Sequence, residues 1–592
     1  MKNIKASAYL AATLLIISCN AATAANLKES PIETIQTVSL SHEDLIKYML
    51  IADMALQRNM PDVALQNYML VAKYTRDPEV AQLATEVAVQ LQNTTQALAA
   101  ADIWATAAPK DIQAQLVGVT LFVNSDRNKT VTFLTNAFQT GTPDLDQHLL
   151  TILSKLPPAG QKNLTEAVFQ VADKQPKSAQ VQLAAAQLAA VQLDIPAATK
   201  KIKLALTIQP DLTSAIELNA KLIRHQHNDD KPALTYLEQQ LKKYPKNGEL
   251  RMFYITALID NNQFDKAMPN LQQLSKDPTF GGEALLNLGE IYITKHNYVL
   301  AESTIKKALA FDTAADKANY YLAQLAEYNN DNPQAIKYYE LVSESSEFHI
   351  PSFLRAAYLY SIIGNYDQAL ATLQNSSPST FLDQKQVLLT EVDILVESQD
   401  LEQALEGCNS ALAVVPDDVD FLYARSIVNS LLKKSTESEK DLRTILQIEP
   451  NNANALNALG FTLANQASRL NEAMPLLQKA ISLNPDNPAF MDSMGWLLYK
   501  MGKFKESIDM LSKAYKLSND SEIAAHFGEV LWASGDKTGA KDIWNKALTA
   551  TPLDKQAIQE TLSRLNIPMS EVQTTSATGS VATTPAAAKA RN

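Results

Sequence analysis

Cysteine, histidine and paired carboxylates are the side chains through which this sequence could do chemistry, and each set is thin. The two cysteines, Cys19 and Cys408, are too few for a disulfide scaffold or for a four-cysteine zinc or iron–sulfur site. Seven histidines stand at 42, 148, 225, 227, 296, 349 and 526, and no His-Glu-x-x-His motif joins any of them. The one local pair, His225 and His227, has Asp229 and Asp230 close by and could take up a metal adventitiously. Its place just before Ala233 makes a solvated polar turn the ordinary outcome. Cys408 has Glu402 and Glu406 near it in sequence but no histidine to accept its proton, so it reads as a small core residue rather than a nucleophile. Neither a Gly-x-Ser-x-Gly elbow nor a glycine-rich phosphate loop ending in Lys-Ser/Thr occurs. Carboxylates are plentiful, but abundance alone singles out no acid–base pair. The sequence thus assigns no catalytic residue, no metal ligand and no cofactor.

The elements that would position such groups follow one beat. The chain has 592 residues, 46% of them hydrophobic and 20% charged, enough for three or four ordinary domains by length. Yet Ala233, Ala267, Ala301, Ala335 and Ala369 recur every 34 residues. A second small residue keeps the same beat at Gly289, Ala323 and Ala357 and returns as Gly460, Gly495 and Gly528. Prolines 210, 245, 278, 416, 450, 485 and 552 fall where helices should end. Two antiparallel helices that cross closely need a small residue in each, because a larger one would force their backbones apart. A 34-residue helix–turn–helix unit of this kind resembles the tetratricopeptide repeat. The fold that follows is all-α, a superhelical solenoid of roughly fifteen helix pairs, since one repeat cannot bury its apolar face alone.

The expected organisation is helical repeats over 42–374, a hinge or equally an ordinary inter-repeat turn over 375–381 at a serine- and proline-rich break, further repeats over 382–552, a capping helix over 553–567 and a disordered tail over 568–592. Between about 110 and 178 the beat blurs and the register is open. In the repeat frame, first-helix residues beyond the small core position line a groove. Tyr358, Phe461, Trp496 and Glu529 form one row, with Glu327, Tyr499 and Trp532 one turn on. Tyr320, Asn457 and Asp492 form the adjacent row, and Asn465 and Lys500 lie at its far side. Aromatic groups flanked by polar ones suit protein recognition, although the same aromatics could simply pack between repeats. The lysine row with which some tetratricopeptide proteins clamp a terminal carboxylate is replaced by Tyr320, Leu354, Asn457 and Asp492.

At the N-terminus, Lys2 and Lys5 precede an apolar run too short to span a bilayer, which reads as an export signal. The run ends in Ile16-Ile17-Ser18-Cys19, which resembles the lipobox of bacterial lipoprotein signals. That resemblance implies a signal peptide over 1–18, lipidation of Cys19 and a lipidated tether over 19–41. Asn20 in place of an inner-membrane retention aspartate implies the periplasmic face of the outer membrane. Cleavage near Ala22-Thr23-Ala24 would instead leave a soluble periplasmic protein. The net charge of -12 becomes -14 once Lys2 and Lys5 are removed (50 basic against 64 acidic side chains), which disfavours nucleic acid as a partner.

The lipobox-like signal, the nearly all-repeat chain, the run Asp492-Ser493-Met494-Gly495-Trp496-Leu497-Leu498-Tyr499-Lys500 and the stretch Gly528-Glu529-Val530-Leu531-Trp532 together resemble the adaptor lipoproteins of a periplasmic carboxyl-terminal processing protease. That resemblance implies a noncatalytic scaffold that activates the protease and recruits peptidoglycan hydrolases for degradation, regulating cell-wall growth. The alternative is a scaffold lipoprotein of an outer-membrane assembly, polysaccharide-export or pilus-secretion machine.

Overall fold

A computed structural model describes residues 40–550 and 555–572. Cys19 and nearly all of the 19–41 tether lie outside the described residues. Those described form thirty-one α-helices, from His42–Gln57 to Gln556–Arg564, with no strand among them. They make fifteen consecutive pairs and one closing helix, the all-α solenoid expected from the beat. The chain divides between Phe311 and Asp312 into two compact units. Unit 1 holds the eight pairs from His42–Gln57 to Tyr298–Ala308, and unit 2 holds seven pairs and the closing helix.

The small residues sit where helices touch. Ala233, Ala267, Ala301, Ala335 and Ala369 are all buried. A Cβ placed on Gly289 would come 2.4 Å from Ile305, one on Gly460 2.6 Å from Leu477, and one on Gly495 2.5 Å from Leu511. The glycines are therefore imposed by the approach of the second helix of each pair.

The turn between the helices of a pair has its own chemistry. Asn228, Asn262, His296, Asn330 and Gly364, again 34 apart, all adopt left-handed backbone (φ +48° to +76°). The residue that follows caps the next helix: Asp229, Asn297, Asp331 and Asn365 each accept a backbone N–H through the side chain. Leu193 holds the same position at φ +60° with 72% of its surface exposed, so its side chain packs on little while its backbone is strained. Leu193→Gly is expected to stabilise unit 1 by about 0.5–1 kcal/mol, the released strain less glycine's entropic cost. A rise in urea midpoint at unchanged slope would show it.

Where the beat blurs, the packing order changes. Leu145–Lys155 and Pro158–Lys174 are joined only through Leu156 and Pro157, and the longer helix packs on both Arg127–Gln139 and Ala179–Val191, while the shorter one packs more on Ala179–Val191 than on the longer helix. Segment 375–381, open by sequence to either a hinge or an ordinary turn, lies inside unit 2. Ser376 is fully buried and its Oγ donates to the Leu373 carbonyl at 2.6 Å. The buried His349 ring spans the carbonyls of Val342 (3.2 Å) and Ser376 (3.1 Å), and Thr380 closes a capping box with Asp383. At the C-terminus, residues 568–572, expected to begin a disordered tail, are packed instead. Met569–Glu571 form a 3-10 turn, Lys541 pairs with Glu571 at 2.9 Å, and Val572 is buried.

Candidate functional site

The site candidates come from first helices of pairs in unit 2, which bring six of them around a residue the sequence reading left among scattered histidines. Helix Ala453–Ala464 carries Asn457 and Phe461, with Asn465 as its C-cap; Pro488–Lys500 carries Asp492, Trp496, Tyr499 and Lys500; Ser521–Ser534 carries Glu529 and Trp532. His526 lies one residue beyond Ala525, which holds on the third helix the position that Asn457 and Asp492 hold on the first two. A 34-residue step from Asp492 reaches it, and that is the signal that could have found it.

His526 Nδ1 lies 2.8 Å from Asp492 Oδ2, and its ring stacks on Trp496 with centroids 4.3 Å apart. Phe461 closes the other side at 5.8 Å. Trp496 Nε1 donates to Asn465 Oδ1 at 2.9 Å, while Lys500 Nζ stands 4.4 Å from the Trp496 ring and 5.3 Å from that of Tyr499. Trp496 is only 4% exposed, so what this cluster presents outward is Asn465 and Lys500, with Tyr499 and Phe461 half-buried beside them. Ammonium over indole is a cation–π contact that also keeps the lysine stem against the aromatic surface.

Burial disfavours a charged His526, but the charge and hydrogen bond of Asp492, helped by Glu522 and Glu529, outweigh it and hold the imidazole above its ordinary value. Because the folded-state value is the higher one, the pair's stabilisation is fully present below the unfolded histidine's value of about 6.5 and is lost as pH rises through the folded value. His526→Gln is expected to flatten that part of the stability profile, as urea midpoints between about pH 5 and pH 9 would reveal.

Glu529 is 2% exposed and accepts two hydrogen bonds, at 2.7 and 2.5 Å, from Arg564 of the closing helix. It secures that helix rather than facing the groove. Trp532 lies apart from the His526 cluster, 6.0 Å from Trp544 with Lys537 over its ring at 4.9 Å. Nearer the start of unit 2, Tyr320 is packed among Tyr339 and Phe348 (5.9 and 5.0 Å). Glu327 accepts from the Tyr339 hydroxyl at 2.5 Å and pairs with Arg355 at 2.5 Å. Tyr358 stays 40% exposed beneath the Arg355 guanidinium and borders a cavity of about 520 Å³ together with Leu354, Asp393 and Ile427.

The groups singled out for chemistry are placed otherwise. Cys408 is fully buried, which pushes its thiol up to about 11. His225 and His227 are exposed at a helix end, where Asp229 caps the next helix and Asp230 pairs with Arg224 at 2.8 Å. Among the described residues no group of three or more His, Cys, Asp or Glu is placed to hold a metal ion.

Paired helices, small residues at each crossing and a left-handed turn on a 34-residue beat define a tetratricopeptide-repeat protein of the class that serves as protein-interaction scaffolds. The chain is related to known proteins of that class, although it matches no family model. It is 29% identical over 494 residues to a TPR repeat-containing protein of Pseudomonas aeruginosa, covering 82% of each chain. It is 20% identical over 383 residues to the TPR repeat-containing protein YpiA of Bacillus subtilis, covering 58% of this chain and 90% of that one. Among solved structures, yeast Tom70 aligns with a TM-score of 0.34 at 12% identity, covering 88% of this chain and 99% of Tom70.

Proposed function

We propose that the protein is a noncatalytic adaptor, anchored through a lipidated Cys19 to the periplasmic face of the outer membrane. It binds and activates a periplasmic carboxyl-terminal processing protease and brings peptidoglycan hydrolases to it for degradation. The observation that carries the reading is the cluster around His526: exposed Lys500 and Asn465 with half-buried Phe461 and Tyr499, set over a buried Trp496–His526 stack by three successive repeats, in a chain with many repeats left for a second partner. Aromatic anchors rimmed by polar groups are what protein interfaces use. Two partners held on one scaffold meet at a raised effective concentration, so the scaffold itself needs no active site. The Ile-Ile-Ser-Cys signal and the Asp492–Lys500 run support the compartment and the partner class through the resemblance given above.

Crosslinking in intact cells followed by partner identification tests the proposal. Recovery of the protease together with wall hydrolases is expected. Recovery of an export pore or pilus assembly without either would overturn it in favour of an envelope-assembly scaffold.

A further inference from the structure

Beside the aromatic cluster, the same three helices enclose a cleft of about 330 Å³ bordered by Asn457, Phe461, Asp492, Ser493, Asp520 and Glu522, among other residues. Two of its residues carry unmet hydrogen-bonding capacity. Asp492 is 6% exposed; its Oδ2 is taken by His526, but its Oδ1 is buried without a partner. The Oδ1 of Asn457, one repeat earlier in the same row, is likewise buried and unpartnered. An unmet buried acceptor is destabilising, more so when the group is charged, so two at one cleft call for a donor from outside. Both unmet atoms are acceptors, and the one basic group nearby, His526, is already paired through Asp492 Oδ2 and is outnumbered by the carboxylates of Asp492, Asp520 and Glu522. The missing partner is therefore rich in N–H and positive.

We propose that the cleft receives an arginine side chain presented by a bound protein, its guanidinium donating to Asn457 Oδ1 and Asp492 Oδ1 with its plane against Phe461. This deepens the scaffold reading and rests on it for the protein that supplies the arginine. Guanidinium fits better than ammonium for three reasons. Its planar fork can serve two fixed acceptors at once, it is more weakly hydrated and so enters a narrow cleft at less cost, and its face stacks on an aromatic ring. Cation–π contact with Phe461 and the carboxylates of Asp520 and Glu522 add to the preference for charge.

The test is saturation-transfer NMR on the full chain with N-acetyl-arginine amide, against N-acetyl-citrulline amide, which keeps the shape and loses the charge. Arginine transfer at least about fivefold above citrulline is expected, falling to the citrulline level in Asn457→Ala and rising in Asn457→Asp, which puts a charged acceptor at the same place. Thermal melts of both variants verify that the fold is kept. Equal transfer from the two probes, or arginine transfer unchanged in Asn457→Ala, would overturn the proposal. So would a crystal structure with the probe in which the Asn457 amide donates to Asp492 and the cleft is empty. Arginine binding without capture of protease or hydrolase in cells would refute the adaptor reading and leave the cleft standing, and the converse result would refute the cleft alone.

Discussion

Trp496→Ala is expected to destabilise unit 2 by about 3–5 kcal/mol, read as a fall in urea midpoint. The indole is 4% exposed, stacks on His526 at 4.3 Å, donates to Asn465 and carries Lys500 over its face, so truncation empties the centre of the cluster and uncovers the His526–Asp492 pair. Trp496→Phe keeps a ring beneath His526 and loses the hydrogen bond to Asn465, whose side chain can turn to water. Its cost is expected near 1 kcal/mol. The difference bears on function, because a binding defect in the alanine variant would report unfolding. Binding has to be read in Trp496→Phe, Lys500→Ala or Asn465→Ala. An alanine variant as stable as the parent would show that the cluster is a loose surface patch.

The second large effect is Gly528→Val, expected to cost about 3 kcal/mol through overpacking. A Cβ there would lie 2.1 Å from Trp544 Nε1 and 2.3 Å from Cε2, and Trp544 is fully buried with its N–H directed at the Ala525 carbonyl at 3.4 Å. A rigid bicyclic ring wedged between helices has nowhere to turn. Gly289→Ala presses instead on Ile305, a flexible aliphatic side chain, and should cost about half as much. Amide exchange localises the damage: Gly528→Val should release protection in 521–550 and in the closing helix, which hangs on the Glu529–Arg564 pair, while unit 1 keeps its own.

The fold was legible because its causes are local and repeated. A small residue every 34 positions is a steric demand of the helix crossing, and the count of fifteen pairs came from that beat. The left-handed turn was less legible. Glycine announces it at 364, 502 and 535, but Asn228, Asn262, His296 and Leu193 fill the same place, and only the cap that follows most of them betrays the role. The serines of 375–381 leave hinge and ordinary turn equally open because composition cannot show that Ser376 is buried and bonded. For the site, the sequence names the row but not what each member spends its polar atoms on. Glu529 and Trp496 share a row with the exposed Tyr358, yet Arg564, 35 residues away from Glu529, claims the first and His526 covers the second. Such partners sit about one repeat apart and follow no fixed residue type.

The central claim is that the chain works by holding two proteins together. The most direct measurement mixes the purified full-length chain with the carboxyl-terminal processing protease and a peptidoglycan hydrolase from the same cell and follows loss of the hydrolase as the chain is titrated. A two-partner scaffold predicts a rate that rises with added chain, peaks, and falls again when protease and hydrolase occupy separate copies. Degradation at one rate whatever the amount of chain would contradict the account.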